Sequence, residues 1–198
     1  MTHQDILIAG VGGQGILSIA GIIGTAAIER GLHVKQCEVH GMAQRGGAVV
    51  SHLRLSEKPI ASDLIGRGRA DLLLAMEPME GLRHLPWLKH DGGVLVANRV
   101  PVRNLKTYPA TEALIAHIDR LQKRRLLDAE ALARKAGTVR AVNSVLLGAA
   151  SAFLMIPAEV IRDAVAQFFD YKGATIVEQN LMAFDLGRAA AEENSKAS

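Results

Sequence analysis

The residues best suited to chemistry lie in two glycine-bearing stretches near the start of the chain. The first, Gly10-Val11-Gly12-Gly13-Gln14-Gly15, is a G-x-G-x-x-G pattern directly after the apolar run Ile6-Leu7-Ile8-Ala9. At this spacing Gly10 can make a tight turn, Gly12 admits close approach of the backbone to a ligand, and Gly15 lets helix and strand pack. Free amides at the start of the following helix, with the positive end of its dipole, suit a phosphate or another anion. Gln14 adds a polar side chain at the helix mouth. Glu38 falls at the end of the next strand, where a dinucleotide-binding fold carries its ribose-binding acid, so the pattern taken alone supports NAD. The same glycines would also serve a sharp turn and close packing with no ligand, and the two readings stand level.

The second stretch, Glu38-Val39-His40-Gly41-Met42-Ala43-Gln44-Arg45-Gly46-Gly47, is the more specific. Gln44 and Arg45 are donors, and the planar fork of Arg45 fits a phosphate or carboxylate. Gly46 and Gly47 would leave backbone amides exposed. Alternatively Arg45 pairs with Glu38 or Glu77 and braces the loop. Contact with a ligand or partner is favoured, because a loop of this composition is costly to order for packing alone.

No self-contained catalytic apparatus accompanies these loops. The 7 histidines show no His-x-x-x-His spacing, and there is no G-x-S-x-G, no nucleophilic Cys/His pair and no P-loop lysine. His40 and His52 read as hydrogen-bonded structural residues. The single cysteine, Cys37, can form neither an internal disulfide nor a four-thiolate site. It is expected to be a small buried strand residue. No catalytic residue and no metal ligand is assigned.

The elements that must hold these loops follow from periodicity. Strands are expected over 6–9, 34–39, 49–55, 71–76, 94–97 and 125–127. Helices are expected over 16–30, 79–88, 111–124, 129–135 with Asp128 as cap, 143–154, 157–169 and 174–191. The first strand–helix–strand predicts a parallel βαβ unit, which puts both glycine-bearing loops at one carboxyl edge. Aromatics are only 4% of residues while 49% are hydrophobic, favouring helix-covered parallel sheet over an aromatic-rich sandwich. The expected fold is α/β: a Rossmann-like, doubly wound, mostly parallel sheet with a helical C-terminal layer. Residues 1–191 would form one domain and 192–198 a frayed tail. A net charge of +3 is too small to imply nucleic acid. With a strand within a few residues of Met1 no signal peptide is expected, and no apolar run reaches the ~20 residues of a membrane span. A cytoplasmic protein is expected.

Several segments in order carry a family resemblance: the two glycine-bearing stretches, Asp71-Leu72-Leu73-Leu74-Ala75-Met76-Glu77-Pro78, Asn143-Ser144-Val145-Leu146-Leu147-Gly148-Ala149, and Asn180-Leu181-Met182-Ala183-Phe184-Asp185-Leu186-Gly187. Together they resemble the gamma-subunit family of pyruvate and other 2-oxoacid:ferredoxin oxidoreductases, most nearly the beta subunit of the indolepyruvate type. The resemblance implies a small subunit active only in a hetero-oligomer. A large alpha subunit would carry thiamine diphosphate and iron–sulfur clusters, decarboxylate the 2-oxoacid, pass electrons to ferredoxin and form an acyl-CoA. It implies no cofactor held by this chain alone and a coenzyme A site that the partner would share, with Gly12, Gly13, Gln14, Arg45, Gly46 and Gly47 at family motif positions. The alternatives are an NAD-binding dehydrogenase, resting on the glycine loop and Glu38, and a purely structural subunit. The basic segment 120–140 fits no motif, and is either a solvated helix face or a docking surface for an acidic partner.

Overall fold

The apolar run that opens the chain becomes the middle of a six-stranded sheet. A computed structural model describes residues 2–40, 46–103 and 107–196, with side chains described through residue 193. Its strands are β1 (His3–Val11), β2 (His33–His40), β3 (Ala48–Ser56), β4 (Leu72–Ala75), β5 (Val94–Asn98) and β6 (Arg124–Leu127). Its helices are α1 (Ile16–Glu29), α2 (Pro78–His84), α3 (Thr111–Ile118), α4 (Ala129–Lys135), α5 (Val142–Ser151), α6 (Ala158–Phe169) and α7 (Ala174–Lys196).

The strand order is β2-β3-β1-β4-β5-β6. β1, β4, β5 and β6 pair in parallel, whereas β3 is antiparallel to both of its neighbours. β1 and β2 therefore run the same way, as expected, but they are not adjacent: β3 folds back from β2 and inserts between them. A short connection after β2 makes this hairpin possible, and sequence periodicity does not report which edge the returning strand chooses.

Alternation along β1 builds two layers. Ile6 and Ile8 join the core on one face, under α1 and the C-terminal helices. Leu7 and Ala9 join a smaller core on the other, with Leu73, Leu95 and Ile118. Helices thus cover both faces, and the sheet is doubly wound with a helical C-terminal layer. α5 and α7 cross so closely that a Cβ on Gly148 would stand 2.0 Å from the Phe184 carbonyl oxygen, and one on Gly187 would stand 1.9 Å from that of Val145. Only glycine fits at such a crossing.

Local rules explain most boundaries, and four departures stand out. α1 closes at Gly31, in the left-handed region at φ 73, with the Gly31 and Leu32 amides donating to the Ile28 and Ala27 carbonyls. α2 is shorter than expected and tightens into a 3-10 turn at Leu85–Trp87, because Pro86 supplies no amide to continue an α-helix. α3 stops at Ile118, since the Leu95 amide takes the Lys123 carbonyl and draws the following residues into the sheet. α7 remains helical to Lys196, beyond the expected 174–191. Cys37 is half-buried rather than buried, because β2 is an edge strand. No helix among the described residues is long and apolar enough to cross a membrane.

Candidate functional site

The glycine loop and the described ends of the second stretch, His40 and Gly46-Gly47, meet at the carboxyl edge. Val11 pairs with Ala48 and His40 with Val49, and the Gly12 amide donates to the Gly47 carbonyl at 2.9 Å. The contact makes one composite rim from two segments far apart in sequence.

Within the first loop, the positive φ values fall on Gly13 (100) and Gly15 (74). Gly10 is needed for a different reason, since a Cβ there would lie 2.7 Å from both the Met76 Cβ and the Gln14 Oε1. Its missing side chain lets the ends of β1 and β4 meet. Gly15 faces Asn143 at the start of α5, not a strand; a Cβ would stand 2.1 Å from the Asn143 Nδ2, and that amide donates to the Gly15 carbonyl at 3.5 Å. Gln14 turns inward. Its Oε1 accepts from the Val11 amide at 2.7 Å and its Nε2 donates to the Met76 carbonyl at 3.2 Å. Gln14 therefore stitches the loop to β4 and serves the shape of the rim.

An open cavity of about 480 Å³ lies over this rim. Gly12, Gly13, Gly15, Ile16, Leu17 and Ser18 form one wall, and Glu38, His40 and Val49 stand opposite. Gly15 is the N-cap of α1, no side chain caps the helix, and no acidic residue occupies its first turn. The first amides of a helix lack intrahelical partners and stand at the positive pole, so this wall is suited to an anion. Glu38, half-buried across the cavity, is an acceptor suited to hydroxyl or amine donors. A ligand with both kinds of group would meet both walls.

Glu38 is nevertheless not placed as in a dinucleotide fold. With β3 interposed, it sits one strand further from the glycine loop, about 10 Å from β1 rather than about 5 Å. Gly10, Gly12, Gly13, Gln14, Gly15, Glu38 and Gly47 are brought to this edge. Gly46 is described in the left-handed region at φ 77, whereas Gln44 and Arg45 lie outside the described residues. Leu17, Ser18, His40, Val49 and Asn143 were not assigned from sequence. Only Asn143, polar in an Ala/Leu-rich helix, carried a signal that could have found it.

Beside Met76 the edge is braced by fully buried Glu77. Its Oε1 accepts from the Glu80 amide at 2.6 Å, and its Oε2 accepts from the Tyr108 hydroxyl. Both oxygens thus have donors without Arg45. Burial, reinforced by the Glu77 carboxylate, holds the Tyr108 phenol well above its ordinary value. Burial also raises Glu80, with Arg83 opposing and Glu77 adding to the shift. His52 is a structural histidine: its Nδ1 accepts from the Ile65 amide at 3.1 Å, and burial lowers its pKa. Among the described residues no group of three or more His, Cys, Asp or Glu could hold a metal ion.

The pyruvate ferredoxin/flavodoxin oxidoreductase family model matches residues 5–190. Indolepyruvate oxidoreductase subunit IorB of Pyrococcus horikoshii is 37% identical, with 98% of each chain covered. The gamma subunit of keto/oxoacid ferredoxin oxidoreductase from Geobacter sulfurreducens aligns with a TM-score of 0.71 at 27% identity, over 96% of this chain and 99% of that one. The 2-oxoglutarate:ferredoxin oxidoreductase of Magnetococcus marinus, solved with 2-oxoglutarate, coenzyme A and succinyl-CoA, shares the fold. Its TM-score is 0.76 at 22% identity, covering 98% of this chain and 32% of that one.

Proposed function

Because the chain belongs to the pyruvate ferredoxin/flavodoxin oxidoreductase family, we propose that it is the small subunit of a cytoplasmic 2-oxoacid:ferredoxin oxidoreductase acting on an aryl 2-oxoacid. Indolepyruvate is the first candidate, on the strength of full-length similarity to an indolepyruvate oxidoreductase subunit. A larger partner would hold thiamine diphosphate and the iron–sulfur clusters, and ferredoxin would receive the electrons from the complex. The single Cys37 does not fit a four-thiolate cluster on this chain.

The chain's own contribution is positioning. The observation that carries it is the uncapped start of α1, with no acid in its first turn, facing a cavity at the carboxyl edge. Coenzyme A fits both walls: its phosphates suit the amides beyond Gly13, and its hydroxyl and amine groups suit Glu38. Held there, the thiol-bearing ligand would reach the partner's site with its orientation already fixed, which lowers the entropic part of the barrier. The family match and the full-length relatives favour this reading over an NAD dehydrogenase.

Ser18→Glu tests this reading. Ser18 lines the cavity in the first turn of α1, where a carboxylate favours the helix, so the fold is preserved while an anion is repelled. In the complex, KM for coenzyme A should rise about tenfold or more with KM for the 2-oxoacid unchanged. Unchanged KM for coenzyme A would leave the purely structural subunit as the better account.

A further inference from the structure

The amino edge of the sheet, opposite the glycine loops, carries a second and wider cleft of about 960 Å³. It opens between the turns that feed β5 and β6, with an apolar floor of Leu85, Pro86, Leu88 and Leu121. Basic side chains stand on both sides. Arg120 and Lys123 line one rim, and Gly68 and Lys89 the other. Arg67 and Arg69 flank Gly68, and the Arg67 guanidinium lies 4.9 Å over the Trp87 ring.

The fold sorts the basic segment 120–140 into paired and unpaired charges. Arg124 pairs with Asp119 and Arg134 with Glu130, while Arg125 donates to the Ala191 and Arg124 carbonyls. Lys89 is taken by Asp71. Among the described residues, Arg67, Arg69, Arg120 and Lys123 form no ion pair, and the only acid lining the cleft is Asp91. Ligands of doubly wound folds bind at the carboxyl edge. The amino edge lies about 15 Å away, the length of the short central strands, so this cleft is separate from the glycine-loop site.

We propose that the cleft docks an acidic segment of a partner polypeptide, one whose carboxylates alternate with apolar side chains. The cations stand on two rims and do not converge, which suits charges spread along an extended chain better than one compact phosphate. The apolar floor matches the side chains between carboxylates, and Arg120 on the rim offers a planar fork for one of them.

The test uses the full chain and a fluorescent peptide in which glutamates are interspersed with leucines, read by anisotropy. Arg120→Glu with Lys123→Glu is compared with Lys135→Glu with Arg140→Glu, which changes net charge equally outside the cleft. All four side chains belong to exposed residues, so folding is not at stake. The cleft pair should weaken peptide binding about tenfold or more, and the control pair no more than about twofold. Equal weakening by both pairs would reduce the effect to bulk charge and overturn the proposal. So would failure of the unaltered chain to bind the peptide. Tighter binding of an oligothymidylate of equal charge, lost in the cleft pair, would assign the cleft to nucleic acid instead.

Discussion

Replacing Gly148 by alanine sets two opposing effects against each other. Helix propensity alone favours the change by about 1 kcal/mol, because alanine is the better former in a helix interior. The crossing of α5 and α7 opposes it. The added methyl would lie 2.0 Å from the Phe184 carbonyl oxygen, whereas C···O contacts settle at about 3.3–3.6 Å. The helices must therefore part by about 1.4 Å, and the atom in the way is backbone, which has no rotamer to escape into. Overpacking of this kind costs about 1–3 kcal/mol, and a rigid backbone obstacle places it at or above the top of that range. The net expectation is a loss of about 2 kcal/mol, or roughly 4–8 °C in Tm for a domain of this size. Gly187→Ala meets the Val145 carbonyl at 1.9 Å and should cost a similar amount. The double variant should lose less than the sum, because the first methyl already separates the helices. Gly21→Ala is the control, being mid-helix with nothing within 4 Å, and should stabilise. Urea and thermal unfolding of the four variants decide the matter. A Gly148→Ala chain as stable as the parent, or more so, would refute the argument.

Other outcomes follow from the carboxyl edge and the buried histidines. Tyr108→Phe leaves the Glu77 Oε2 buried without its donor, so the urea midpoint should fall by an amount equivalent to about 1–3 kcal/mol; an unchanged midpoint would show that the bond contributes nothing. Gly15→Ala combines a left-handed φ of 74 with the clash at Asn143, and should cost about 1–2 kcal/mol from backbone conformation alone. Adding Asn143→Ala should recover only the steric part, and full recovery would argue against backbone strain. His52 and His84 are both lowered, chiefly by burial, so the unfolded chain binds protons at a higher pH than the fold does. Their contribution is complete above the ordinary histidine value of 6.5 and is lost as pH falls through it toward the depressed folded values. Unfolding midpoints should drop across that acid window, and His52→Gln should flatten the slope; an equal slope in the variant would contradict the assignment.

Much of this architecture was legible because local rules coincide with global ones. The run 6–9, Gly31, Pro78 and Asp128 each mark a boundary by a mechanism that acts within a few residues. The place of β3 was not legible: its alternation fits a strand on either side of β1, and only pairing settles which. That one uncertainty also hid the true position of Glu38 and the half-exposure of Cys37. Gln14 reads from sequence as a solvated residue at a helix mouth, and its bonds to Val11 and Met76 come from tertiary placement that no local pattern reports. Asn143 reaches Gly15 across 128 residues of sequence, a contact that no local pattern encodes. The basic segment 120–140 read as one stretch, and tertiary ion pairs divide it.

On the proposed function this chain works only as part of a larger assembly. Co-expression with a candidate large thiamine- and cluster-bearing chain of the same organism, purification of the complex, and coenzyme A-dependent oxidation of indolepyruvate with ferredoxin as acceptor put this to the test. The expected result is a stable complex, active only when both chains are present. Oxidation of the 2-oxoacid by this chain alone, or binding of NAD with no partner recovered, would contradict it.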